Sequence, residues 1–283
     1  MTTYVGLFGH PVKQNLSAIM HDAAFNALGM SWRYTLRDVE PGRVAEAVRR
    51  VRGEGWVGWN VTIPHKLEIV ASMDRLSPEA AIIGAVNTVQ VTPKGLMGHN
   101  TDGVGCVMAL RQETGQGAAG LRVVQIGGGG AGRAVAVYLA MEGAREIDLY
   151  DADLARSQEV AALLASSFPR VRARALSRDA LPQAVAAAEL VVNATPIGMW
   201  PNVEAEPPID PTWLSSGILV YDIINNPPKT RLVKAAEERG CRVLGGLPML
   251  VMQGALAFQL WTGREAPADV MREAAERAVA NWK

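Results

Sequence analysis

The sequence has few of the features that mark secreted or membrane-spanning proteins. It contains two cysteines, Cys106 and Cys241, and neither belongs to a CxxC pair. This is typical of a protein in a reducing compartment whose thiols serve as packing residues. No run approaches the ~20 apolar residues needed to cross a bilayer, and the N-terminus lacks the basic start and apolar stretch of a signal peptide. We therefore expect a cytoplasmic protein with no membrane partner.

A surplus of positive charge is also missing. The 28 basic residues balance the 28 acidic ones, for a formal net charge of +0. Because binding a nucleic acid takes an excess of Lys and Arg on one face, we predict no nucleic-acid partner. One stretch is densely basic, RVRARALSR at 170–178. It alternates Arg with Val or Ala, a pattern that favours a half-buried strand with a solvated face over a binding patch.

Strand-like runs alternate with helical patterns along the whole chain. A first series includes YVGLFG and VGWNVTI, and a second, from the NTDG turn near 102 to about 245, includes LRVVQI and ELVVNA. Alternation of this kind predicts an α/β fold with doubly wound parallel sheets, and 283 residues suit two domains. Two helices, 248–261 and 267–282, close the chain. The pattern leaves open whether they extend the second domain or return to the first.

A glycine-rich segment follows the strand LRVVQI and opens a helix. In IGGGGAGR, the residues Gly127, Gly129 and Gly132 occupy the G-x-G-x-x-G frame. Glycines there allow a tight turn and a close approach to a pyrophosphate at the start of the helix. The motif alone is weak, because methyltransferases and flexible loops carry it too. A further strand and helix follow it in the proper places, so the sequence predicts a dinucleotide site.

The next strand ends in LYDAD, with Asp151 lying 19 residues beyond Gly132. An acid about 20 residues after the last glycine grips the ribose diol in NAD-binding proteins. We therefore predict that Asp151 binds the ribose and excludes the 2′-phosphate of NADP, and that Asp153 caps the following helix. The alternative is that both aspartates only cap that helix.

Two further motifs contain a lysine and a carboxylate. Lys66 ends NVTIPHK (60–66), one turn into a helix predicted to begin at Pro64, and Asp102 lies in GHNTDG (98–103), at the junction of the two series. A lysine and a carboxylate that meet in a cleft can move a proton to or from a substrate hydroxyl. Taken singly, Lys66 could equally be a surface residue and Asp102 a helix cap.

Together the motifs resemble the shikimate dehydrogenase family. NVTIPHK, GAVNT, HNTDG, IGGGGAGR, VNATPIGM, DIINNPPKT and PMLVMQGA occur in that family's order and spacing over essentially the whole chain. The resemblance implies a substrate domain at 1–102 plus 247–283 and a Rossmann-like NAD(P) domain at 103–246. It also implies reversible hydride transfer between a nicotinamide and a ring hydroxyl of shikimate, a cyclohexene carboxylate. We expect a monomer or homodimer, and no metal is predicted.

The resemblance assigns roles position by position. Lys66 and Asp102 match the catalytic pair. The positions matching substrate-binding residues are Asn15, Ser17, Thr62, Asn87, Asn225 and Gln253. Those matching cofactor-binding positions are Gly127, Gly129, Gly130, Ala131, Ala194, Thr195, Ile223, Gly246 and Met249, to which the ribose ligand Asp151 is added.

Three departures from the family pattern bear on specificity. Asp151-Ala152-Asp153 replaces the Asn-Arg-Thr-like stretch of NADP-using members, which favours NAD. Asn15-Leu16-Ser17 replaces a Ser-x-Ser pair, and Asn225 replaces a tyrosine. The last two changes leave quinate or an amino-shikimate open as the substrate. A non-catalytic relative that senses a metabolite or nucleotide is the alternative of a different class.

Overall fold

The fold is known from a computed structural model that describes residues 2–12 and 15–281. The chain divides into two compact units, one formed by residues up to Gly105 together with those from Leu250 onward, the other by Cys106–Met249. Each unit is built on a six-stranded sheet. The predicted α/β class is confirmed.

The helices and strands of the first half of the chain are β1 (Thr3–Gly9), α1 (Leu16–Ala27), β2 (Trp32–Asp38), α2 (Val44–Gly53), β3 (Gly58–Val61), β4 (Arg75–Leu76), α3 (Pro78–Ile83), β5 (Thr88–Thr92), β6 (Gly95–His99) and α4 (Asp102–Thr114). There follow β7 (Arg122–Ile126), α5 (Gly130–Met141), β8 (Glu146–Tyr150), α6 (Leu154–Ser167), β9 (Arg172–Ala175), α7 (Leu181–Ala187), β10 (Leu190–Asn193), β11 (Leu219–Asp222), α8 (Arg231–Glu238), β12 (Arg242–Leu244), α9 (Leu247–Thr262) and α10 (Ala268–Ala280). The predicted end of the last helix, Trp282, lies outside the described residues.

The sheet of the first unit has the order β2-β1-β3-β5-β6-β4. Strands β1, β2 and β3 run parallel, whereas β5 pairs antiparallel with β3 and β6, with Asn60 opposite Thr88 and Thr88 opposite His99. The carboxyl ends of β3 and β6 and the amino end of β5 therefore meet at one edge of the sheet. The residues that follow or precede these ends, including Lys66, Asn87 and Asp102, are brought together there.

Aromatic and aliphatic side chains fill the core behind this edge. Phe8 of β1 stacks on Trp59 of β3 with ring centroids 5.3 Å apart, and both are fully buried. Helix α1 packs against α10, and α9 also approaches α1, where a Cβ at Gly254 would lie 2.2 Å from Cε of Met20. The two closing helices thus contribute to the first unit, in agreement with the family resemblance.

The sheet of the second unit is parallel throughout, in the order β12-β11-β10-β7-β8-β9. The chain leaves the central pair β7 and β10 in opposite directions, so a topological switch point lies at their carboxyl ends, the usual place for a dinucleotide. The basic stretch forms β9 as predicted. Its exposed Arg172 and Arg174 pair with the buried carboxylates of Glu146 and Asp148 on β8.

The capping residues in the sequence predicted the starts of α3 and α6 correctly. Ser77 caps α3 by accepting a hydrogen bond from the Ala80 amide (3.2 Å), and Asp153 caps α6 by accepting one from the Ala155 amide (3.2 Å). The helix predicted from Pro64 is wrong. The chain makes a turn there, closed by the His65 amide donating to the Thr62 carbonyl, and continues as a short 3-10 helix at Glu68–Ser72.

Between residues 2 and 12 and between 15 and 281, no helix is both long and apolar enough to span a bilayer.

Candidate active site

Lys66 and Asp102 form an ion pair at the polar edge of the first sheet. The Nζ of Lys66 lies 2.6 Å from Oδ2 of Asp102, and the two side chains are 12% and 8% exposed. Lys66 comes from the turn after β3 and Asp102 begins α4 after β6, so strand pairing brings together residues 36 positions apart. The nearly buried pair leaves a small opening to solvent, which suits proton exchange with a bound hydroxyl.

The start of α4 is capped by a different residue. Oδ1 of Asn100 accepts from the amides of Asp102 (3.1 Å) and Gly103 (3.4 Å), which satisfies the first free N–H groups of the helix. Asp102 is therefore free to direct its carboxylate toward Lys66. The interpretation of Asp102 as a mere helix cap is wrong.

Asn87 supports the carboxylate from the other side. Its Nδ2 donates to Oδ1 of Asp102 at 2.9 Å, and its Oδ1 accepts from the Thr101 amide at 2.7 Å. The same Nδ2 lies 3.3 Å from Oε1 of Gln253, which extends from α9. Three of the residues assigned to the substrate or the chemistry thus form one hydrogen-bonded group with Lys66.

Thr62 lies beside this group, directly after β3, where its amide donates to the Phe8 carbonyl at 2.8 Å. Its methyl group packs against β1 so closely that a Cβ at Gly9 would lie 2.4 Å from it. Gly9 is therefore the residue that leaves room for Thr62.

Asn15 and Ser17 lie at the start of α1. Oδ1 of Asn15 accepts from the Ser17 amide at 2.8 Å, so Asn15 caps the helix with its own side chain. Ser17 is buried, and its backbone carbonyl lies 2.8 Å from Nδ1 of His21. The amide oxygen that distinguishes Asn15 from a serine is thus used within the helix cap.

The glycine-rich segment of the second unit has the geometry that its sequence predicts. Gly127 has φ of +104°, a conformation that favours glycine, and its Cβ would lie 2.8 Å from the backbone of Ala194. A Cβ at Gly132 would lie 2.1 Å from the Gly127 carbonyl oxygen. Gly129 precedes α5 without a side-chain cap, so the amides of the first turn, which includes Gly130 and Ala131, can bind an anion.

The other predicted cofactor positions follow neighbouring strands of the same sheet. Ala194 and Thr195 follow β10, and the Thr195 amide and hydroxyl both donate to Oδ1 of Asn193. Ile223 follows β11, and a Cβ at Gly246 would lie 2.1 Å from its carbonyl oxygen. Met249 is buried in α9, and Asn225 is half-buried in the loop after β11, so this predicted substrate residue belongs to the second unit.

Sequence reasoning missed Asp222, which ties these loops together. Its buried carboxylate accepts from Nδ2 of Asn193 (3.0 Å), the Ile224 amide (3.1 Å) and the Thr230 hydroxyl (2.7 Å). Burial raises the pKa of Asp222 to about 6, against the effect of the three donors. The available signal was an aspartate inside the apolar run ILVYDII, because a buried carboxylate needs hydrogen-bond donors.

Asp151 accepts two backbone hydrogen bonds that its spacing does not predict. Its Oδ2 accepts from the Gly128 amide at 2.8 Å and its Oδ1 from the Asp153 amide at 2.9 Å. Both oxygens therefore fix the backbone of the glycine-rich loop and the turn before α6. The first turn of α6 also approaches the loop, since a Cβ at Gly128 would lie 3.1 Å from the Arg156 carbonyl oxygen.

Comparison with known proteins gives consistent matches. Residues 7–89 match the model of the shikimate dehydrogenase substrate binding domain, and 246–276 that of the shikimate 5′-dehydrogenase C-terminal domain. The chain is 45% identical over 274 residues to a shikimate dehydrogenase (NADP(+)) of Methanopyrus kandleri, covering 96% of this chain and 94% of that protein. It is 46% identical over 271 residues to the protein of the same name from Moorella thermoacetica, covering 95% and 91%.

A solved structure is similar over the same extent. Shikimate 5-dehydrogenase from Thermus thermophilus, in complex with NADP(H) and shikimate, superposes with a TM-score of 0.86 at 34% identity, covering 98% of this chain and 100% of that one.

The predicted preference for NAD over NADP is wrong. The two curated relatives above carry NADP(+) in their names, as do further relatives at 37–42% identity. The prediction depended on the carboxylate of Asp151, whose two oxygens accept hydrogen bonds from the Gly128 and Asp153 amides. A nearby arginine can accommodate a 2′-phosphate, and the 60% exposed side chain of Arg156 lies one turn beyond this carboxylate.

Proposed function

This chain belongs to the shikimate dehydrogenase family, and we propose from that premise that it oxidises a ring hydroxyl of shikimate reversibly with NADP⁺. The observation that supports this most directly is the Lys66–Asp102 pair, 2.6 Å apart and nearly buried. Removing two charges from water costs free energy that their mutual attraction often fails to recover, so the pair is better explained by a role in the reaction than by stability.

In this proposal the first unit binds the cyclohexene carboxylate and the second the dinucleotide. Lys66 takes the hydroxyl proton during oxidation and returns it during reduction. Asp102 holds the Lys66 side chain in place and stabilises the ammonium that forms when Lys66 takes the proton, while Asn87 and Gln253 orient the ring hydroxyls. The nicotinamide supplies the hydride chemistry, so the protein's task is positioning and proton transfer.

The second unit offers two features for NADP. The uncapped start of α5 presents amides and the positive end of a helix dipole to the pyrophosphate. Arg156, exposed in the first turn of α6, supplies a guanidinium for the 2′-phosphate. Asp151 contributes by holding the Gly128 amide and so the shape of the loop.

The test is a panel of shikimate, quinate and an amino-substituted analogue against NADP⁺ and NAD⁺, with the formation of reduced dinucleotide followed by absorbance. We expect the highest kcat/KM for shikimate with NADP⁺. If the protein turns over quinate and not shikimate, quinate is the substrate and the proposal for shikimate is wrong. Binding of shikimate and dinucleotide without turnover of any pair would contradict the enzymatic function and support a sensing role.

A further inference from the structure

A row of buried polar side chains extends from the active site into the first unit, and the mechanism above does not use most of it. From the far end it consists of Tyr34, Asn60, Thr88 and Asn87, which are 5%, 4%, 0% and 2% exposed. They come from β2, β3 and the start of β5. We call these four residues the polar row.

The Asn87 end of the polar row is oriented without ambiguity. The Thr101 amide, which can only donate, lies 2.7 Å from one terminal atom of the Asn87 side chain, so that atom must be the oxygen. Nδ2 therefore faces Asp102 and donates to its Oδ1 at 2.9 Å. If the amide of Asn87 rotated, its oxygen would face the carboxylate and repel it.

The rest of the polar row restrains this orientation. The Thr88 hydroxyl donates to Oδ1 of Asn87 at 3.1 Å and accepts from Nδ2 of Asn60 at 2.9 Å. Oδ1 of Asn60 accepts from the Tyr34 hydroxyl at 2.8 Å. Burial raises the pKa of Tyr34 well above its usual value, so the phenol keeps its proton and stays a donor. Each hydrogen bond in the polar row thus determines which atoms of the neighbouring side chain donate and which accept.

We propose that Tyr34, Asn60 and Thr88 are positioning residues for the reaction. They hold Asn87 in the orientation in which its Nδ2 supports the Asp102 carboxylate, and through Asp102 they hold Lys66. The kinetic consequence depends on the proposed dehydrogenase function, whereas the orientation of Asn87 does not.

The placement of the polar row argues for such a role. At its far end the ring of Tyr34 stacks on the buried His21 ring at 4.7 Å and lies 6.2 Å from the buried Trp261 ring. Buried polar groups are costly unless every one is satisfied, and aliphatic side chains of equal volume would stabilise the fold at least as well. A fully satisfied row that ends on the catalytic carboxylate is better explained by orientation than by stability.

The test replaces Thr88 with isosteric valine, which removes the hydroxyl and little else. We expect kcat with shikimate to fall roughly three- to tenfold, the effect of losing one ordinary hydrogen bond, and KM for shikimate to rise, because Asn87 also meets the ring hydroxyls. KM for NADP⁺ should stay unchanged. Thr88→Ser keeps the hydroxyl and should recover most of the activity. Tyr34→Phe, at the far end, should act in the same direction but less strongly.

The matched control is Thr92→Val, the same substitution at the other end of β5, where the hydroxyl contacts the hairpin and the exposed side chain of Arg75, away from Asn87. It should retain wild-type kinetics. Wild-type kcat in a folded Thr88→Val protein, equal impairment in Thr88→Ser, or equal impairment in Thr92→Val would each overturn the proposal.

A readout without turnover separates this inference from the proposed function. The side-chain NH₂ signals of Asn87, identified by their loss in Asn87→Ala, should shift and exchange faster with water in Thr88→Val but not in Thr92→Val. Unchanged Asn87 signals would refute the positioning role even in an active enzyme. If the wild-type protein fails to oxidise shikimate while these signals respond, the proposed function fails and the polar row stands.

Discussion

Replacement of Lys66 by methionine should nearly abolish turnover without harming dinucleotide binding. Methionine keeps the length of the side chain but removes the ammonium that lies 2.6 Å from Asp102. Loss of a general acid–base group typically costs roughly 10²–10⁴-fold, and we expect kcat with shikimate and NADP⁺ to fall within this range. The Kd for NADP⁺ should stay near its wild-type value, since the dinucleotide residues belong to the second unit.

The same change should also lower stability. Asp102 is 8% exposed and would keep the hydrogen bond from Asn87 but lose its counter-charge. Removal of one partner of a buried pair costs about 3–5 kcal/mol, and the slight exposure of both side chains places this case at the lower end. Urea unfolding monitored by fluorescence would measure this loss in the free energy of unfolding. Lys94→Met, at an exposed lysine in the hairpin between β5 and β6, is the matched control and should change neither quantity.

A double-mutant cycle with Asp102→Asn completes the test. If the two residues act as one unit, the double variant should be little worse than the poorer single variant, because the second change removes what is already lost. If instead the fold-losses in kcat of the two single variants multiply in the double variant, the residues act independently. A Lys66→Met enzyme that keeps most of its turnover would mean that solvent moves the proton and Lys66 only binds.

Three further predictions concern the cofactor, the glycine loop and pH. Arg156→Ala should raise KM for NADP⁺ roughly tenfold with little effect on NAD⁺, whereas Arg170→Ala in the exposed turn after α6 should change neither; an equal effect on both cofactors would refute the contact with the 2′-phosphate. Gly132→Ala should weaken NADP⁺ binding roughly tenfold or more in titration calorimetry and spare shikimate, because its Cβ would lie 2.1 Å from the Gly127 carbonyl. Burial lowers the pKa of His21 to about 4 from 6.5, so the unfolded chain binds the extra proton first, and the free energy of unfolding should fall by up to about 3 kcal/mol as pH drops from 6.5 to 4. His21→Gln should remove that part of the slope, and identical slopes in the two proteins would contradict the assignment.

Features specified by neighbouring residues were predictable from the sequence. The caps at Ser77 and Asp153, the hairpin through TPKG and the alternating strand at Arg172–Ala175 each depend on a few consecutive residues. The glycine loop also belongs to this class, since the tight turn at Gly127 needs a residue without a Cβ whatever surrounds it. The order of these motifs was enough to suggest the family and the lysine–aspartate pair.

Two predictions made from local patterns were wrong. The preference for NAD depended on the spacing of Asp151 from Gly132, whereas the curated relatives carry NADP(+) in their names. In the fold the Gly128 amide, 23 residues away from Asp151, donates to its carboxylate at 2.8 Å. The segment after Pro64 has a helical pattern, but the His65 amide donates to the Thr62 carbonyl and closes a turn there. Lys66 then meets Asp102, 36 residues further along the chain, and the local pattern does not contain this partner.

The polar row shows most clearly what only the tertiary structure decides. Tyr34, Asn60 and Thr88 stand 26 and 28 residues apart in successive steps, in strands whose sequences read as ordinary core. They meet because β5 runs antiparallel to β3, which sets Thr88 opposite Asn60. The sequence determined which side chains could donate or accept. Which of them do so depends on distance and direction, since hydrogen bonds weaken steeply when either is wrong, and both are fixed only when the strands have paired.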